Sequence, residues 1–259
     1  MSEMCHSILM DSRGRAVAQI ASVCCDFKNG KVIPEHFHPE HQLVFASSGV
    51  MTVHTGQNVW VVPPMRAVWI PALTPHRIVM SGLVSMRTLY FLPQMGRSLP
   101  KRCFTMNVSP LLRELILHAC RFPKLRQTSP VEKRIIEVIV DQLKAVRSIP
   151  LQLPQPSDSR AMRVVHSLSR NPGDSRTLEN LCKECGASKR TVERLFIRET
   201  KMTFGKWRQQ LRLLHSVELL ASGEKVTAAA LGAGYNSTSA FIAMFRKQLG
   251  ATPKCYLSG

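Results

Sequence analysis

The stretch Thr177–Phe196, TLENLCKECGASKRTVERLF, decides the fold of the C-terminal part of this chain. Its first half carries apolar residues at the i, i+3, i+4, i+7 spacing of one helix face, Gly186 interrupts that pattern, and Ser188 can cap a new helix. The second half again has apolar residues at helical spacing. The stretch therefore predicts two helices joined by a tight glycine turn, with these residues buried: Leu178, Leu181, Cys182, Cys185, Val192, Leu195 and Phe196.

The same design occurs a second time near the C-terminus. Val226–Ala233 has the pattern of a short apolar helix, Gly234 breaks it, and Ser237 can cap a further helix. We therefore expect two helix-turn-helix units, at about 178–199 and 226–249. In such a unit the second helix enters the major groove of DNA with its N-terminal turns on the base edges. Its buried face here is expected to be Phe241, Met244 and Phe245, 49 residues beyond Val192, Leu195 and Phe196.

One amphipathic segment, Thr203–Ala221, joins the two units. A helix of this length spans about 28 Å at 1.5 Å per residue. Successive major-groove faces of a duplex lie roughly 34 Å apart. A single continuous helix can therefore space two recognition helices about one DNA turn apart on the same face of the duplex.

The composition is strongly basic. Lys and Arg total 35 against 17 Asp and Glu, which gives a formal net charge of +18 and a pI near 10.1. Such a balance points to a polyanionic partner, with nucleic acid ahead of an anionic membrane surface. The two halves of the chain are equally basic, so charge alone does not identify the half that contacts DNA.

Several features predict a cytoplasmic protein with no membrane partner. The chain lacks an apolar run of the roughly 20 residues that span a bilayer, and its N-terminus lacks a signal-peptide pattern. The eight cysteines lack the spacing of a disulfide scaffold, so we expect reduced thiols. Cys182 and Cys185 form a C-x-x-C, but we expect them to pack in a helical core rather than to bind metal or to be redox-active.

Residues 1–100 have the pattern of a sheet. Short apolar or alternating runs recur at spacings of roughly 8 to 12 residues, and turn residues separate them, which predicts an all-β barrel or sandwich. The runs are Ala16–Cys25, Gln42–Ser47, Val50–Thr55, Val59–Val62, Ala67–Ile70, His76–Met80 and Val84–Phe91.

Residues 101–150 change to a helical period. The segment Ile135–Val146 is apolar around much of its circumference, so it must be buried on more than one side. A core helix and a dimer helix explain this equally well, and we predict a helical dimerisation region here. The proline-rich residues 151–157 then read as a semi-rigid linker, followed by an all-α DNA-binding domain at 158–259.

Residues Leu178–Leu257 resemble the DNA-binding domain of AraC/XylS-type transcription regulators. The resemblance is carried by the stretch quoted above, by LLASGEKVTAAALGAGYNSTSAFIAMFRKQLGATP and by the closing Pro253 and Tyr256. Lys201 and Gly232 depart from the family, which commonly has glycine and alanine there. The resemblance implies a homodimer that binds double-stranded DNA as an activator or a repressor, with RNA polymerase as a further partner.

The family's pattern also implies which residues contact DNA. Arginine can bond bidentately to guanine, and glutamate can accept from cytosine. Hydroxyl and apolar side chains discriminate less strongly between bases. Basic residues away from the base edges hold phosphates. A solvated helix face is the alternative for these charges. The implied base-reading residues are Arg190, Glu193, Arg194, Thr238, Ser239 and Ile242, and the implied phosphate contacts are Lys189, Arg198, Arg246 and Lys247.

The string His36–Gln42, HFHPEHQ, resembles the first motif of cupin barrels, and Pro71–His76, PALTPH, resembles the second. Residues i and i+2 of a strand share a face, so His36 and His38 can point into the barrel together. The resemblance implies that His76 and a fourth side chain complete the set. Metal-binding cupins usually have glutamate in that fourth place, where this chain has Gln42.

Three interpretations of these side chains stay open: a divalent metal site, the polar floor of a pocket for a small-molecule effector, and plain hydrogen-bonded barrel residues. The metal candidates are His36, His38, Gln42 and His76, and Trp69 joins them as a candidate pocket residue. Because Gln42 is a neutral ligand, we expect no bound cofactor.

The whole chain resembles AraC-type regulators with an N-terminal cupin sensor, a subgroup often encoded beside small-molecule exporters. This resemblance implies a transcription regulator that responds to a small molecule and controls a neighbouring exporter or pathway gene. The alternative is a metal-dependent cupin enzyme, a dioxygenase or an isomerase, fused to a DNA-binding domain. Gln42 and the DNA-binding domain both argue against an enzyme.

Overall fold

A computed structural model describes residues 3–4, 7–11, 13, 15–56, 58–145, 148–149 and 152–257. The chain divides into two compact units, residues 1–56 with 60–152 and residues 57–59 with 153–259. The first is rich in antiparallel strands and the second is helical, which is the order that the sequence predicts. Positions 146, 147, 150 and 151, around the predicted start of the linker, lie outside the described residues. None of the helices in the described part is long and apolar enough to cross a membrane.

Strands occupy most of the first 110 residues, and three short strands follow them. Their bounds are β1 (Glu3–Met4), β2 (Ile20–Phe27), β3 (Val32–Phe37), β4 (His41–Thr55), β5 (Asn58–Val62), β6 (Arg66–Ile70), β7 (His76–Phe91), β8 (Phe104–Asn107), β9 (Lys124–Leu125), β10 (Ser148–Ile149) and β11 (Gln152–Pro154). The long strand β7 pairs with β4 along one edge, and with β3 and then β2 along the other. Strand β6 pairs with β4, and β8 pairs with β6. The main pairings are therefore antiparallel.

Two predicted pairs of strands are single bent strands in the structure. Gln42–Ser47 and Val50–Thr55 both belong to β4, and His76–Met80 and Val84–Phe91 both belong to β7. Gly49 interrupts the apolar pattern of β4, yet the strand continues through it at a φ of +72° while the register with β7 shifts. A Cβ atom at this position would lie 2.5 Å from the carbonyl oxygen of Leu83, so only glycine allows the bend. The sheet also continues past the predicted boundary at residue 100, because β8 lies in the region that the sequence predicts to be helical.

Strand alternation gives the sheet two different faces. Gln42 and Val44 lie on one face, which we call the histidine face, and Leu43 and Phe45 lie on the opposite one, which we call the helix-covered face. Two helices, α1 (Pro110–Ala119) and α2 (Pro130–Ala145), follow a 3-10 helix at Pro93–Ser98. They share one apolar core with the helix-covered face, including Leu43, Phe45, Trp69, Leu89, Phe91, Leu112, Ile116, Ile136, Ile139 and Leu143.

Within its described residues, the second unit has seven helices: α3 (Ser159–Arg170), α4 (Leu178–Glu184), α5 (Lys189–Thr200), α6 (Phe204–Ala221), α7 (Val226–Gly232), α8 (Thr238–Leu249) and α9 (Pro253–Leu257). The 18 residues of α6 form one continuous helix, which is about 27 Å long at the usual rise per residue. The described end of the predicted linker is held by this unit, because the Trp207 Nε1 donates to the carbonyl oxygen of Pro154 at 2.8 Å.

Candidate functional site

The second helix of the first predicted unit, α5, has one buried and one exposed face. Ser188 caps its start, with Oγ accepting from the backbone N–H of Thr191 at 3.2 Å. Val192, Leu195 and Phe196 are buried, as the sequence predicts. The predicted DNA contacts of this helix are exposed together on the other face: Lys189, Arg190, Glu193, Arg194 and Arg198.

The turn before α5 has the tight geometry that the sequence predicts. Gly186 adopts a φ of +60°, a conformation that glycine accepts without steric cost. The Arg163 guanidinium donates to the carbonyl oxygen of Cys185 at 2.7 and 3.0 Å, which satisfies the end of α4. Both Cys182 and Cys185 are buried, and burial raises the pKa of each thiol. A neutral, buried thiol suits core packing rather than metal binding.

The second predicted unit, α7 with α8, has a different exposed surface. Ser237 caps α8, with Oγ accepting from the N–H of Ala240 at 3.3 Å. Phe241 and Phe245 are buried, whereas Met244 is only half-buried. Of the predicted contacts, Thr238 and Ile242 are half-buried, and Ser239, Arg246 and Lys247 are exposed.

Two arginines of α6 fix the loop that precedes α4. The Arg208 guanidinium donates to the carbonyl oxygen of Arg176 at 2.6 Å and to that of Asp174. Arg212 donates to Asp174 at 2.7 Å and to Pro172 at 3.3 Å. Sequence reasoning assigned these arginines no role. The only signal was that they lie off the apolar stripe of this helix, which consists of Phe204, Trp207, Leu211 and Leu214. They stabilise the fold of this unit through backbone carbonyls that would otherwise lack partners.

One departure from the family pattern, Lys201, lies at the end of α5. Lys201 adopts a φ of +59°, which is the left-handed conformation that favours glycine. Its Nζ atom donates to the carbonyl oxygen of Arg198 at 2.9 Å. Arg198 in turn bonds to the Glu199 carboxylate at 2.6 Å but keeps 61% of its side chain exposed. Arg198 therefore remains accessible to a DNA phosphate.

Three histidines converge in the first unit. His36 at the end of β3 pairs with His76 at the start of β7, and their ring centroids lie 4.4 Å apart. His38 follows β3, with its ring centroid 5.2 Å from that of His76 and 6.0 Å from that of His36. One nitrogen of each ring lies within 4.8 Å of the others. His38 and His76 are buried and His36 is half-buried.

Each of these rings is held by a backbone carbonyl group. The Nδ1 of His36 lies 2.8 Å from the carbonyl oxygen of Pro34, and that of His76 lies 2.9 Å from the carbonyl oxygen of Thr74. The Nδ1 of His38 lies 2.9 Å from the carbonyl oxygen of Glu40. A carbonyl oxygen can only accept, so each Nδ1 carries a proton, and in a neutral ring the lone pair is then on Nε2.

Gln42 connects this cluster to β7. Its Nε2 donates to the Thr88 hydroxyl at 3.1 Å and to the Tyr90 hydroxyl at 3.0 Å, while its Oε1 lies 3.2 Å from the Nε2 of His38. Sequence reasoning missed Thr88 and Tyr90. They pair across the strands with Val44 and Gln42, which places them on the histidine face, but no motif signals this.

Burial keeps two of the histidines neutral. Loss of hydration lowers the pKa of His76 to about 4, and burial also lowers the pKa of His38, although the oxygens of Gln42 and Glu40 beside its ring favour the charged form. These two rings therefore present electron pairs at neutral pH. Such an arrangement can accept hydrogen bonds from a ligand or coordinate a cation.

Trp69, the remaining predicted pocket residue, does not join the cluster. It pairs with Leu43 across β4 and β6, which places it on the helix-covered face. There it is fully buried, with its ring 5.1 Å from that of His41 and 5.5 Å from that of Phe91. The assignment to the pocket is not supported because the next residue, Ile70, is the one on the histidine face.

Two family models match the two units of the chain. A model described as an AraC-like ligand binding domain matches residues 22–153, and one described as a helix-turn-helix domain matches residues 181–259. The first model covers the histidine cluster and the two helices that follow the sheet. The second covers α5 and α8, which carry all the predicted DNA contacts.

The chain is also similar to curated relatives and to a solved structure. The chain is 34% identical over 225 residues to the HTH-type transcriptional regulator NimR of Escherichia coli, covering 87% of this chain and 82% of NimR. It is 33% identical over 106 residues to the regulator RipA of Corynebacterium glutamicum, covering 41% of this chain and 32% of RipA. A structure of fatty acid-bound ToxT from Vibrio cholerae is 14% identical, covers 92% of this chain and 95% of that one, and has a TM-score of 0.39.

The ligand-binding model spans half of the chain, and NimR matches across both units. The relatives are transcription regulators rather than enzymes, which agrees with the prediction from sequence. The chain belongs to the AraC family of helix-turn-helix transcription regulators, with an N-terminal ligand-binding domain and a C-terminal DNA-binding domain.

Proposed function

We propose that this regulator binds a specific double-stranded DNA sequence as a homodimer, in the cytoplasm, and controls a neighbouring exporter or pathway gene in response to a small molecule. The observation that carries the proposal is the exposed face of α5. Arg190, Glu193 and Arg194 lie there in the first two turns after the Ser188 cap, opposite the buried residues. These turns are the part of a recognition helix that meets base edges.

Selection from random DNA tests this proposal. Full-length protein is expected to enrich a defined sequence and to bind it at least about 10³-fold more tightly than a scrambled duplex. The double variant Arg190→Ala, Arg194→Ala should lose this preference. Lys183→Ala, which removes an exposed charge from α4, should keep it and serves as the control. Equal affinity of the unmodified protein for both duplexes contradicts the proposal.

The homodimer is supported by the outer face of α2. Ile136, Ile139 and Leu143 of this helix are buried against the sheet. Val131 and Val138 lie one heptad apart and are 59% and 41% exposed, so a second apolar stripe faces outward. Val138→Lys should convert a dimer into a monomer in sedimentation equilibrium, whereas the exposed neighbour change Glu137→Lys should not. A monomeric unmodified protein at tens of micromolar contradicts this part of the proposal.

The histidine face is where we propose that the effector acts. Its polar groups, among them His38, Gln42 and Tyr90, share the sheet with buried apolar residues such as Val44 and Ile70, and this mixture is the usual make-up of a small-molecule site. An effector that binds one conformation of the dimer more tightly shifts the population of DNA-binding states. RNA polymerase is the expected further partner where the regulator activates transcription.

A further inference from the structure

We propose that Cys24 and Cys120 form an oxidation site, at which a hydroperoxide converts the two thiols into a disulfide within one chain. The inference goes beyond the proposed function, because it adds an oxidant-sensitive site to the ligand-binding domain. The prediction of reduced thiols describes the protein before it meets the oxidant. The test measures the bond itself, so the proposal stands or falls independently of DNA binding.

The first support is the position of the two thiols on the same side of the sheet. Cys24 lies in β2 on the helix-covered face, four residues after Ile20, which belongs to the core that the sheet shares with α1. Cys120 ends α1 and packs against the same core. The Cys24 thiol donates to the carbonyl oxygen of Cys120 at 3.9 Å, although 96 residues separate the two. The fold therefore brings these cysteines together.

The second support is the anchoring of the two backbone segments. The N–H of Ser22 donates to the carbonyl oxygen of Pro123 at 3.1 Å, and the Ser22 hydroxyl donates to that of Phe122 at 2.8 Å. Both bonds lie two or three residues from the cysteines. A disulfide requires a close and specific approach of the two Cα and Cβ atoms. Because the segments are already tied together, the two thiols do not depend on a chance meeting of mobile chains.

The third support is the different surroundings of the two thiols. Cys24 is exposed, so a hydroperoxide in solution can reach its sulfur, whereas Cys120 is half-buried. Burial, and then the interaction with the Cys24 thiol, raise the pKa of the Cys120 thiol, so it stays protonated at neutral pH. Arg87 pairs with Cys24 across β2 and β7, and its positive charge acts in the opposite direction by favouring an ionised sulfur. An exposed thiol beside an arginine and a second thiol is typical of oxidation-sensitive sites.

The reaction consumes one hydroperoxide. With hydrogen peroxide, the Cys24 sulfur attacks one oxygen, the O–O bond breaks, and a sulfenic acid and a first water are formed. The Cys120 sulfur then attacks the sulfenic sulfur. The S–S bond forms while the S–O bond breaks, and the hydroxide leaves as a second water with the proton of the Cys120 thiol. The two thiols lose two electrons and two protons, and the peroxide is reduced to two waters.

Strand alternation separates Cys24 from the neighbouring thiol of Cys25. Cys25 and Cys103 both pack against the core of the histidine face, on the other side of the sheet from Cys120. Burial raises the pKa of the Cys103 thiol to about 11. The proposal therefore names Cys24 rather than Cys25 as the partner of Cys120, and the adjacent cysteine provides a matched control.

Peptide mapping of the oxidised protein tests the site. Reduced full-length protein is treated with a small excess of hydrogen peroxide, the remaining thiols are alkylated, and the protein is digested with trypsin without a reductant. We expect a disulfide between peptides 16–28 and 114–121, which carry Cys24 and Cys120, in protein that remains a single chain. Cys24→Ser should abolish this link. Cys25→Ser, which changes the next residue of the same peptide, should leave it unchanged.

Several results of this mapping would overturn the proposal. They are the absence of the linked peptide, a covalent dimer in its place, a link from peptide 16–28 to peptide 103–113, which carries Cys103, and a link that persists in Cys24→Ser. Because position 24 is exposed, Cys24→Ser should fold normally, and an unchanged circular dichroism spectrum checks this.

Thermal unfolding shows whether the bond forms between the thiols as the native fold holds them. A cross-link that closes a loop of 96 residues removes much of the conformational freedom of the unfolded chain. The oxidised protein should therefore unfold at a higher temperature than the reduced protein, and dithiothreitol should reverse the shift. Cys24→Ser should show no rise after the same peroxide treatment. An oxidised protein that unfolds at the same or a lower temperature overturns the proposal, because a bond between badly placed thiols strains the native state.

Discussion

Gly173, in the loop between α3 and α4, lies against the backbone of Gly232 in α7: a Cβ atom on Gly173 would lie 2.5 Å from the carbonyl oxygen of Gly232. Because the neighbouring atoms belong to the backbone of Gly232 and Gly234, they cannot move aside as the end of a side chain could. The same loop is held by Arg208 and Arg212 of α6. The close approach therefore joins the segment before the first helix-turn-helix unit to the first helix of the second.

Gly173→Ala should destabilise the helical unit by about 1–3 kcal/mol, the usual cost of an overpacked site. Gly205→Ala is the matched control, because Gly205 lies within α6 and a Cβ there would meet nothing within 4 Å. That change should be neutral or stabilise by up to about 1 kcal/mol, since alanine favours helix interiors. Urea unfolding, followed by Trp207 fluorescence in proteins whose Trp60 and Trp69 are replaced by phenylalanine, distinguishes the two. Equal effects of both changes would refute the close approach.

Gly232, which lies at this contact, departs from the alanine that the family commonly has there. A glycine within α7 predicts a softer second unit, because glycine at a helix interior costs up to about 1 kcal/mol relative to alanine. In the structure, a Cβ on Gly232 would lie 2.8 Å from the Cδ1 of Leu219, and Gly173 packs against its carbonyl group. The close approach between segments 59 residues apart therefore requires glycine at position 173, whereas the missing side chain of Gly232 makes room for the end of Leu219. No local pattern reveals either contact.

Glu199 provides a second stability prediction. Its carboxylate accepts from the backbone N–H groups of Ser157 and Asp158 at 2.7 and 3.1 Å, next to the start of α3. Glu199→Ala should cost about 1–2 kcal/mol, the size of a lost helix cap or charged hydrogen bond. Hydrogen exchange should speed up at the amides of Ser157 and Asp158. Glu193→Ala, an exposed change on the same helix, should leave both amides protected.

The pH dependence of this effect has a defined sign. The Arg198 guanidinium, and then the Asp158 and Ser157 amides, lower the pKa of Glu199 from its usual 4.5 to about 2. A depressed carboxyl pKa stabilises the folded state fully above the unfolded value, and this stabilisation is lost as pH falls through the folded one. The difference in unfolding free energy between the unmodified protein and Glu199→Ala should therefore be constant above about pH 5 and shrink toward pH 2. A difference that is unchanged at pH 2 contradicts this origin.

The sequence predicts the helical unit better than the site in the sheet. Glycine turns and helical spacing are local signals, so α4 with α5 and α7 with α8 are predicted within a few residues. The predicted DNA contacts lie on α5 and α8, so the same local signals that predict these helices also predict the positions of the contacts. In the sheet, Trp69 and Ile70 point to opposite faces, and the choice between them depends on which strand lies next to β6. Pairing over long sequence distances decides this, and alternation alone does not.

Arg194 and Lys189 should respond differently to mutation, although both are exposed on α5. Arg194→Ala should weaken binding to the specific site by about 1–3 kcal/mol, because a bidentate base contact discriminates by that amount, and leave non-specific binding nearly intact. Lys189→Ala should weaken both and lower the salt slope by about one unit, as expected for one lost phosphate contact. Titrations of specific and scrambled duplexes at several salt concentrations measure both effects. Equal losses for Arg194→Ala on the two duplexes would show that it does not read bases.

The exposed start of α8 is chemically unlike that of α5. Thr238 and Ser239 offer only hydroxyl groups, and the half-buried Ile242 offers an apolar edge. None of these can make a bidentate bond to a base, although hydroxyls bond to several bases and an apolar side chain can touch a thymine methyl group. Arg246 and Lys247, further along α8, are exposed and can still bind phosphates. The first unit should therefore carry most of the sequence specificity, and the second mainly affinity and orientation.

A saturation-mutagenised operator tests this asymmetry. Substitutions in one half of each monomer's site should cost about 1–3 kcal/mol per base pair, and clearly less in the other half. In the half of the site where substitutions cost more, Arg194→Ala should reduce the differences in affinity between the four bases. Ser239→Ala should change little, because a single hydroxyl reads bases degenerately, while Lys247→Ala should lower affinity for all sequences alike. Two results would show that α8 discriminates between sequences as strongly as α5. One is an equal cost of base-pair substitutions in both halves of the site, and the other is a loss of specificity for Ser239→Ala as large as for Arg194→Ala.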